Sequence, residues 1–111
     1  MIKIYLLCQN FTLANDIRRK ASFGPQQVEI ITNPRSLQGL TCGVFALLPK
    51  RTKHGTTLNT DSFYNLMREI AHSYSSRYPR RCKYIAILPS ELNDHVHLMN
   101  KLAKIRDEIP A

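Results

Sequence analysis

The sequence predicts an α/β fold, a small three-layer sandwich in which helices cover both faces of a four-stranded, mainly parallel sheet. Two observations predict it. Four short segments are almost continuously apolar, which is typical of parallel strands buried on both faces. Segments with apolar residues at helical spacing separate them. At 111 residues and 43% hydrophobic content, the chain can bury a core of its own, so we expect residues 1–111 to form a single α/β domain.

The four predicted strands are rich in aliphatic, β-branched and aromatic residues, and turn-forming residues bound most of them. They cover residues 2–8, 27–32, 43–48 and 83–88. The third and fourth strands are each followed by a proline, Pro49 and Pro89. Between the third strand and the next helix, residues 50–59 are polar and are expected to form a loop.

Three helices are predicted from apolar stripes and from their start and stop signals. The first follows a capping residue at Asn10 or Thr12 and ends before Gly24. The second begins near Thr60 and ends at Pro79, with an apolar stripe formed by Phe63, Leu66, Met67, Ile70 and Tyr74. The last begins at Ser90 as N-cap, and its stripe is formed by Leu92, Val96, Met99, Leu102, Ala103 and Ile109. Residues 36–40 hold at most one or two helical turns.

Right-handed crossovers between these elements leave few topologies, and strand order 2-1-3-4 is the one we expect. It corresponds to a flavodoxin-like or receiver-like sheet in which ligands bind at the carboxyl ends of the strands. A receiver needs acidic residues there to hold Mg²⁺ and accept a phosphoryl group. The corresponding positions carry Gln9 and Asn10 after the first strand, and Leu48 and Pro49 after the third. The fold is therefore expected to be receiver-like without the acidic site.

Sixteen Lys and Arg against eight Asp and Glu give a formal net charge of +8, which favours binding to polyanions. Two groups of basic residues are candidate anion-binding or nucleic-acid-binding sites. The first lies in the loop at the carboxyl end of the sheet: Lys50, Arg51, Lys53 and His54. The second lies at the opposite end, where the second helix ends and the fourth strand begins: Arg77, Arg80, Arg81 and Lys83. The sequence leaves open which group is used.

Residues for catalysis and for cofactor binding are scarce. The chain has no Walker loop and no GxGxxG sequence, and its acidic residues do not pair across a predicted pocket. The four histidines have no ligand partners at chelating spacing, so no metal is expected.

The chain has an odd number of cysteines, Cys8, Cys42 and Cys82, and no CxxC motif. We therefore expect free thiols and a cytoplasmic location. Cys8 is expected to be a buried structural thiol.

These observations predict a non-enzymatic basic binding domain that contacts nucleic acid through basic loops at one end of the sheet, with no cofactor. The alternative is a protein–protein adaptor or inhibitor, built on a degenerate receiver-like fold, that binds an acidic protein. A third hypothesis is an enzyme or sensor that holds a phosphorylated small molecule above Asn10, Lys50 and Ser90. No membrane association is expected, because no apolar run approaches ~18 residues. A homodimer through the outer strands of the sheet remains open.

Overall fold

The computed structural model describes residues 2–52, 55–57 and 62–110. Strands and helices alternate along the chain, as predicted. In order they are β1 (Ile4–Leu7), α1 (Phe11–Lys20), β2 (Val28–Ile31), a 3₁₀ helix (Pro34–Leu37), β3 (Gly43–Leu47), β4 (Lys50–Thr52), β5 (Gly55–Thr57), α2 (Ser62–Arg77), β6 (Cys82–Ala86), a second 3₁₀ helix (Pro89–Asn93) and α3 (His95–Asp107). Thr60, the predicted start of the second helix, lies outside the described residues.

Four strands form an all-parallel sheet in the order β2-β1-β3-β6. The predicted fold class and strand order are confirmed: the chain is a small flavodoxin-like sandwich. β1 and β3 are the central strands, and every residue of both is buried. Because the four strands run in one direction, residues that precede them meet at the amino-terminal end of the sheet. Residues that follow them meet at its carboxyl end.

Helices cover both faces of the sheet, and the alternation of side chains along each strand divides the apolar residues between two cores. On one face Ile4 and Leu6 pack with residues of α1 and α3. On the other face Tyr5 and Leu7 pack with residues of α2 and the first 3₁₀ helix. The rings of Tyr5 and Phe45 stack there with centroids 5.1 Å apart. This double coverage explains why the central strands lack polar residues.

The start of α3 differs from the prediction. Ser90 is not its N-cap, because Pro89–Asn93 forms a 3₁₀ helix and α3 begins at His95. Asp94 is the N-cap, and its carboxylate accepts a hydrogen bond of 3.0 Å from the backbone N–H of His97. Because the backbone at Asp94 is extended, the helical spacing of apolar residues that starts at Leu92 in the sequence does not continue into α3. Val96, expected in the apolar stripe, is therefore 49% exposed, whereas Leu98 is buried.

The segment predicted as a polar loop contains regular structure. β4 and β5 pair antiparallel as a two-stranded hairpin, with Lys50 opposite Thr57 and Thr52 opposite Gly55. The hairpin leaves the carboxyl end of β3 directly after Pro49. No helix in the described part of the chain combines the length and apolar character needed to cross a membrane.

Candidate functional site

The two basic groups predicted from the sequence lie at opposite ends of the sheet. Lys50 and Arg51 lie in β4, beyond the carboxyl end of β3, and only their backbone is described. Lys53 and His54 lie outside the described residues. The second group lies where α2 ends and β6 begins, and we call it the basic cluster: Arg77, Arg80, Arg81 and Lys83. A five-residue strand spans about 16 Å, so the backbone of Lys50 and Arg51 lies at the far end of the sheet from the basic cluster.

Backbone hydrogen bonds fix the turn that carries the basic cluster. The carbonyl of Tyr78 accepts bonds from the N–H groups of Arg81 and Cys82, at 3.0 and 2.9 Å. The carbonyl of Arg81 accepts a bond of 2.8 Å from the N–H of Gly43, which ties the turn to the start of β3. The arginine side chains therefore project from a backbone that is anchored to the sheet.

Within the part of the chain that the structure describes, none of the four cations of the basic cluster forms an ion pair with a carboxylate. Arg77, Arg80 and Arg81 are exposed, and Lys83 is half-buried. Within the described residues, ion pairs involve other cations: Lys3 with Glu29, Lys101 with Glu91, and Arg106 with Asp107. The cluster thus presents fixed positive charge to solvent. A helix C-terminus favours cations and accounts for Arg77, but Arg80 and Arg81 lie beyond the last turn of α2.

Two tyrosines flank the basic cluster, and both have structural roles. Tyr78 packs against the core on the α2 face, and the guanidinium of Arg81 lies 4.8 Å from the centre of its ring. Tyr74 packs against Phe45, with ring centroids 6.2 Å apart, and its hydroxyl accepts a bond of 3.2 Å from the N–H of Gly39. Tyr74, predicted in the apolar stripe of the second helix, is half-buried and packs against the core from its edge. Tyr78 acts as the platform for Arg81.

A cavity of about 660 Å³ opens at the amino-terminal end of the sheet, next to the basic cluster. Its walls come from the starts of the strands and from the end of α3 and the residues after it: Ile2, Gln27, Cys42, Arg81, Arg106, Asp107, Ile109 and Pro110. Arg81 is shared by the cavity and the basic cluster. The cavity could not be predicted from the sequence, because its walls come from segments far apart in the chain and no local pattern marks them.

The three cysteines are free, and they differ in accessibility. Cys42 is exposed, whereas Cys8 and Cys82 are buried. Burial raises the pKa of the Cys8 thiol to about 12, and its Sγ donates a hydrogen bond of 3.2 Å to the carbonyl of Asn10. The expectation that Cys8 is a buried structural thiol is confirmed, since a thiol with this pKa is almost wholly protonated near neutral pH.

At the carboxyl end of the sheet, the positions where receivers bind Mg²⁺ carry no carboxylate. Gln9 and Asn10 are exposed there, and Leu48 and Pro49 are buried. Asn10 caps α1 by accepting a bond of 3.1 Å from the N–H of Leu13. Within residues 2–52, 55–57 and 62–110, no three His, Cys, Asp or Glu side chains come together as a metal site.

Comparison of the chain with protein-family models, with curated proteins and with solved structures finds no match.

Proposed function

We propose that the protein binds nucleic acid through the basic cluster at the amino-terminal end of its sheet. The observation that carries this proposal is the set of exposed arginines, Arg77 at the end of α2 and Arg80 and Arg81 on the anchored turn that follows, with no ion-paired acid among the described residues. Guanidinium groups bind phosphate through paired hydrogen bonds, so such a set suits a phosphate backbone.

The charge of the whole molecule supports the same proposal. A net charge of +8 raises the local concentration of polyanions and speeds their encounter with the surface. The last turn of α1 adds Arg18, Arg19 and Lys20, and α1 also ends towards the amino-terminal end of the sheet, because it connects the end of β1 to the start of β2. Basic side chains at this end of the molecule therefore come from more than one element.

The test measures the affinity for a fluorescently labelled single-stranded oligonucleotide as a function of salt concentration. Each phosphate neutralised on a single strand contributes roughly 0.7 to the slope of log affinity against log salt. We expect the triple variant R80A/R81A/K83A to reduce that slope by about 2 and to weaken binding at low salt.

The matched control is the triple variant K50A/R51A/K53A, which removes the same number of charges from the other basic group predicted from the sequence. We expect its slope and affinity to stay close to those of the unmodified protein. If K50A/R51A/K53A lowers the slope and R80A/R81A/K83A does not, the interface lies at the first basic group instead. A protein that binds no oligonucleotide at low salt would contradict the proposal altogether.

A second candidate function is that of an adaptor for an acidic protein, and one observation favours it. Leu66 is 48% exposed on α2, in a shallow groove of about 350 Å³ that Ile70, Tyr74, Arg77 and Glu69 also line. An exposed apolar side chain in a groove with one cation and one acid suits a peptide whose apolar residue contacts Leu66 and whose acidic residue pairs with Arg77. The triple variants separate the two functions, because oligonucleotide binding by an adaptor would come from its net charge alone and would not depend specifically on Arg80, Arg81 and Lys83.

A further inference from the structure

We infer that the cavity beside Arg81 holds one unstacked base of a single-stranded nucleic acid, while the neighbouring phosphates lie on the basic cluster. The inference rests on the proposed function, and it adds the kind of nucleic acid and the place where a base is bound.

The walls of the cavity suit the two faces and the edge of a base. Ile2, Ile109 and Pro110 supply apolar surface, on which the flat faces of a base can pack. Gln27 and Arg106 also line the cavity, and amide and guanidinium groups hydrogen-bond to the edge of a base. The Oε1 of Gln27 already accepts a bond of 3.3 Å from the N–H of Gly24, so its NH2 group is the donor left for a base. The volume of about 660 Å³ falls within the ~300–1,000 Å³ that is usual for small-molecule sites, so a nucleoside fits.

The position of Arg81 connects the cavity to the basic cluster. Arg81 is one of the residues that line the cavity, and its guanidinium is held over the ring of Tyr78 at 4.8 Å. A base in the cavity therefore leaves its own phosphate next to a guanidinium that is already positioned. Arg106, the second guanidinium of the cavity, is 20% exposed and pairs with Asp107 at 3.3 Å, which leaves a net positive charge at the opening.

A cavity for a base selects a single strand over a duplex. In a duplex each base is paired and stacked, and moving it into a pocket costs a few kcal/mol. In a single strand the bases are free to leave the stack, and proteins that bind single strands take them up on aromatic or apolar surfaces. Arg81 covers the ring of Tyr78, and Tyr74 contacts Phe45 and Gly39. Among the described residues near the basic cluster, the cavity therefore offers a surface that can accept a base.

The test uses Cys42, which is exposed and lines the cavity, as a reporter. Cys8 and Cys82 are buried, so iodoacetamide should alkylate Cys42 selectively, and mass spectrometry measures the rate. Oligodeoxythymidylate should slow this alkylation in proportion to its occupancy. An abasic oligomer of the same length and charge should bind more weakly, by about tenfold for a single base contact, and should leave Cys42 reactive.

A variant that fills the cavity gives a second measurement. Cys42→Phe should abolish the preference for the base-bearing oligomer and keep the affinity for the abasic one. Val96→Phe, the same new side chain at an exposed position on α3, should keep the preference. If Cys42→Phe does not fold, the alkylation rates of Cys42 in the unmodified protein, with and without each oligomer, test the base site.

The possible outcomes separate this inference from the proposed function. If neither oligomer binds, the base site and the proposed function are both overturned. Equal binding of the two oligomers, with Cys42 unprotected, overturns the base site and leaves the phosphate contacts standing. Equal protection by a duplex, or by thymidine monophosphate at the same nucleotide concentration, overturns the assignment of the site to a single strand.

Discussion

The guanidinium of Arg81 lies 4.8 Å from the ring centre of Tyr78, three residues earlier in the chain. The ring itself packs against the core on the α2 face, so it does not move freely with the turn. A cation held over an aromatic face loses less conformational freedom when it binds an anion, because part of its side-chain entropy has already been lost in the free protein. The pair therefore orients the one arginine that the basic cluster shares with the cavity.

Replacing the ring should weaken nucleic-acid binding even though Tyr78 is proposed to make no contact with the ligand. We expect Tyr78→Leu to lower the affinity by about two- to fivefold, which corresponds to the ~0.5–1 kcal/mol of a cation–π contact at an exposed site. Tyr78→Phe, which keeps the aromatic face, should retain the affinity. The measurement is oligonucleotide titration at fixed salt. An equal loss from Tyr78→Leu in an Arg81→Ala background would show that the ring does not act through Arg81.

Gly43 has a φ of +147°, and a Cβ at this position would lie 2.5 Å from Tyr5 Cε2 and 2.9 Å from the carbonyl oxygen of Lys3. We expect Gly43→Ala to lower the free energy of unfolding by about 2–4 kcal/mol, since it adds backbone strain to a steric overlap in the core. Gly24→Ala is the control, because nothing lies within 4 Å of the place that its new methyl group would take. It should change the stability by less than about 1 kcal/mol. Urea denaturation measures both, and similar values for the two would refute the steric explanation.

The sheet could be predicted from the sequence because its central strands carry a physical signature. β3 (Gly43–Leu47) is buried at every residue, and burial on both faces leaves no place for polar side chains. The strand order followed from the handedness of parallel connections. The start of α3 was placed wrongly, because Ser90 and Asp94 are both good N-cap residues, and only tertiary packing determines which one begins the helix.

The basic cluster could be predicted and the cavity beside it could not. Arg77 to Lys83 are neighbours in the chain, so their charge is visible in the sequence. Ile2, Cys42 and Ile109 come together only because parallel strands begin at one end of the sheet and the chain returns there after α3. Their proximity is a product of topology, which no local pattern records. The hairpin of β4 and β5 was missed because its strands have three residues each, too few for a clear alternation.

Removing either of two buried tyrosine hydroxyls should change the free energy of unfolding differently. The hydroxyl of Tyr64 accepts a hydrogen bond of 2.6 Å from the N–H of Gln9, so Tyr64→Phe should lower the free energy of unfolding by about 1 kcal/mol. The hydroxyl of Tyr84 is buried and has no hydrogen-bond partner in the described part of the chain. Tyr84→Phe should therefore be neutral or stabilise the fold by up to about 1 kcal/mol. Urea denaturation compares the two, and a larger loss for Tyr84→Phe would reveal a partner for that hydroxyl.

The ion pair between Glu91 and Lys101 should make part of the stability depend on acid pH. The Lys101 ammonium, bonded to the Glu91 carboxylate at 2.8 Å, holds the pKa of this carboxyl below its usual value. A carboxyl whose pKa is lower in the folded state stabilises the fold above its unfolded pKa, ~4.3, and that contribution is lost as the pH falls through the folded pKa. Glu91→Gln removes the charge and keeps an oxygen for the N–H of Leu88, which donates to Glu91 at 3.3 Å.

We expect Glu91→Gln to cost about 0.5–1 kcal/mol at pH 7, since the pair is partly exposed and screened by solvent. The difference from the unmodified protein should begin to shrink below the unfolded pKa of ~4.3 and should vanish once the pH lies below the lowered folded pKa of Glu91. Glu29→Gln is the control, because Glu29 and Lys3 are 3.8 Å apart and both well exposed, and its cost should be close to zero at either pH. Urea denaturation at pH 7 and at acid pH measures the free energy of unfolding of each variant. A cost for Glu91→Gln that is the same at both would assign its effect to packing, and the ion pair would then contribute nothing to the acid sensitivity of the fold.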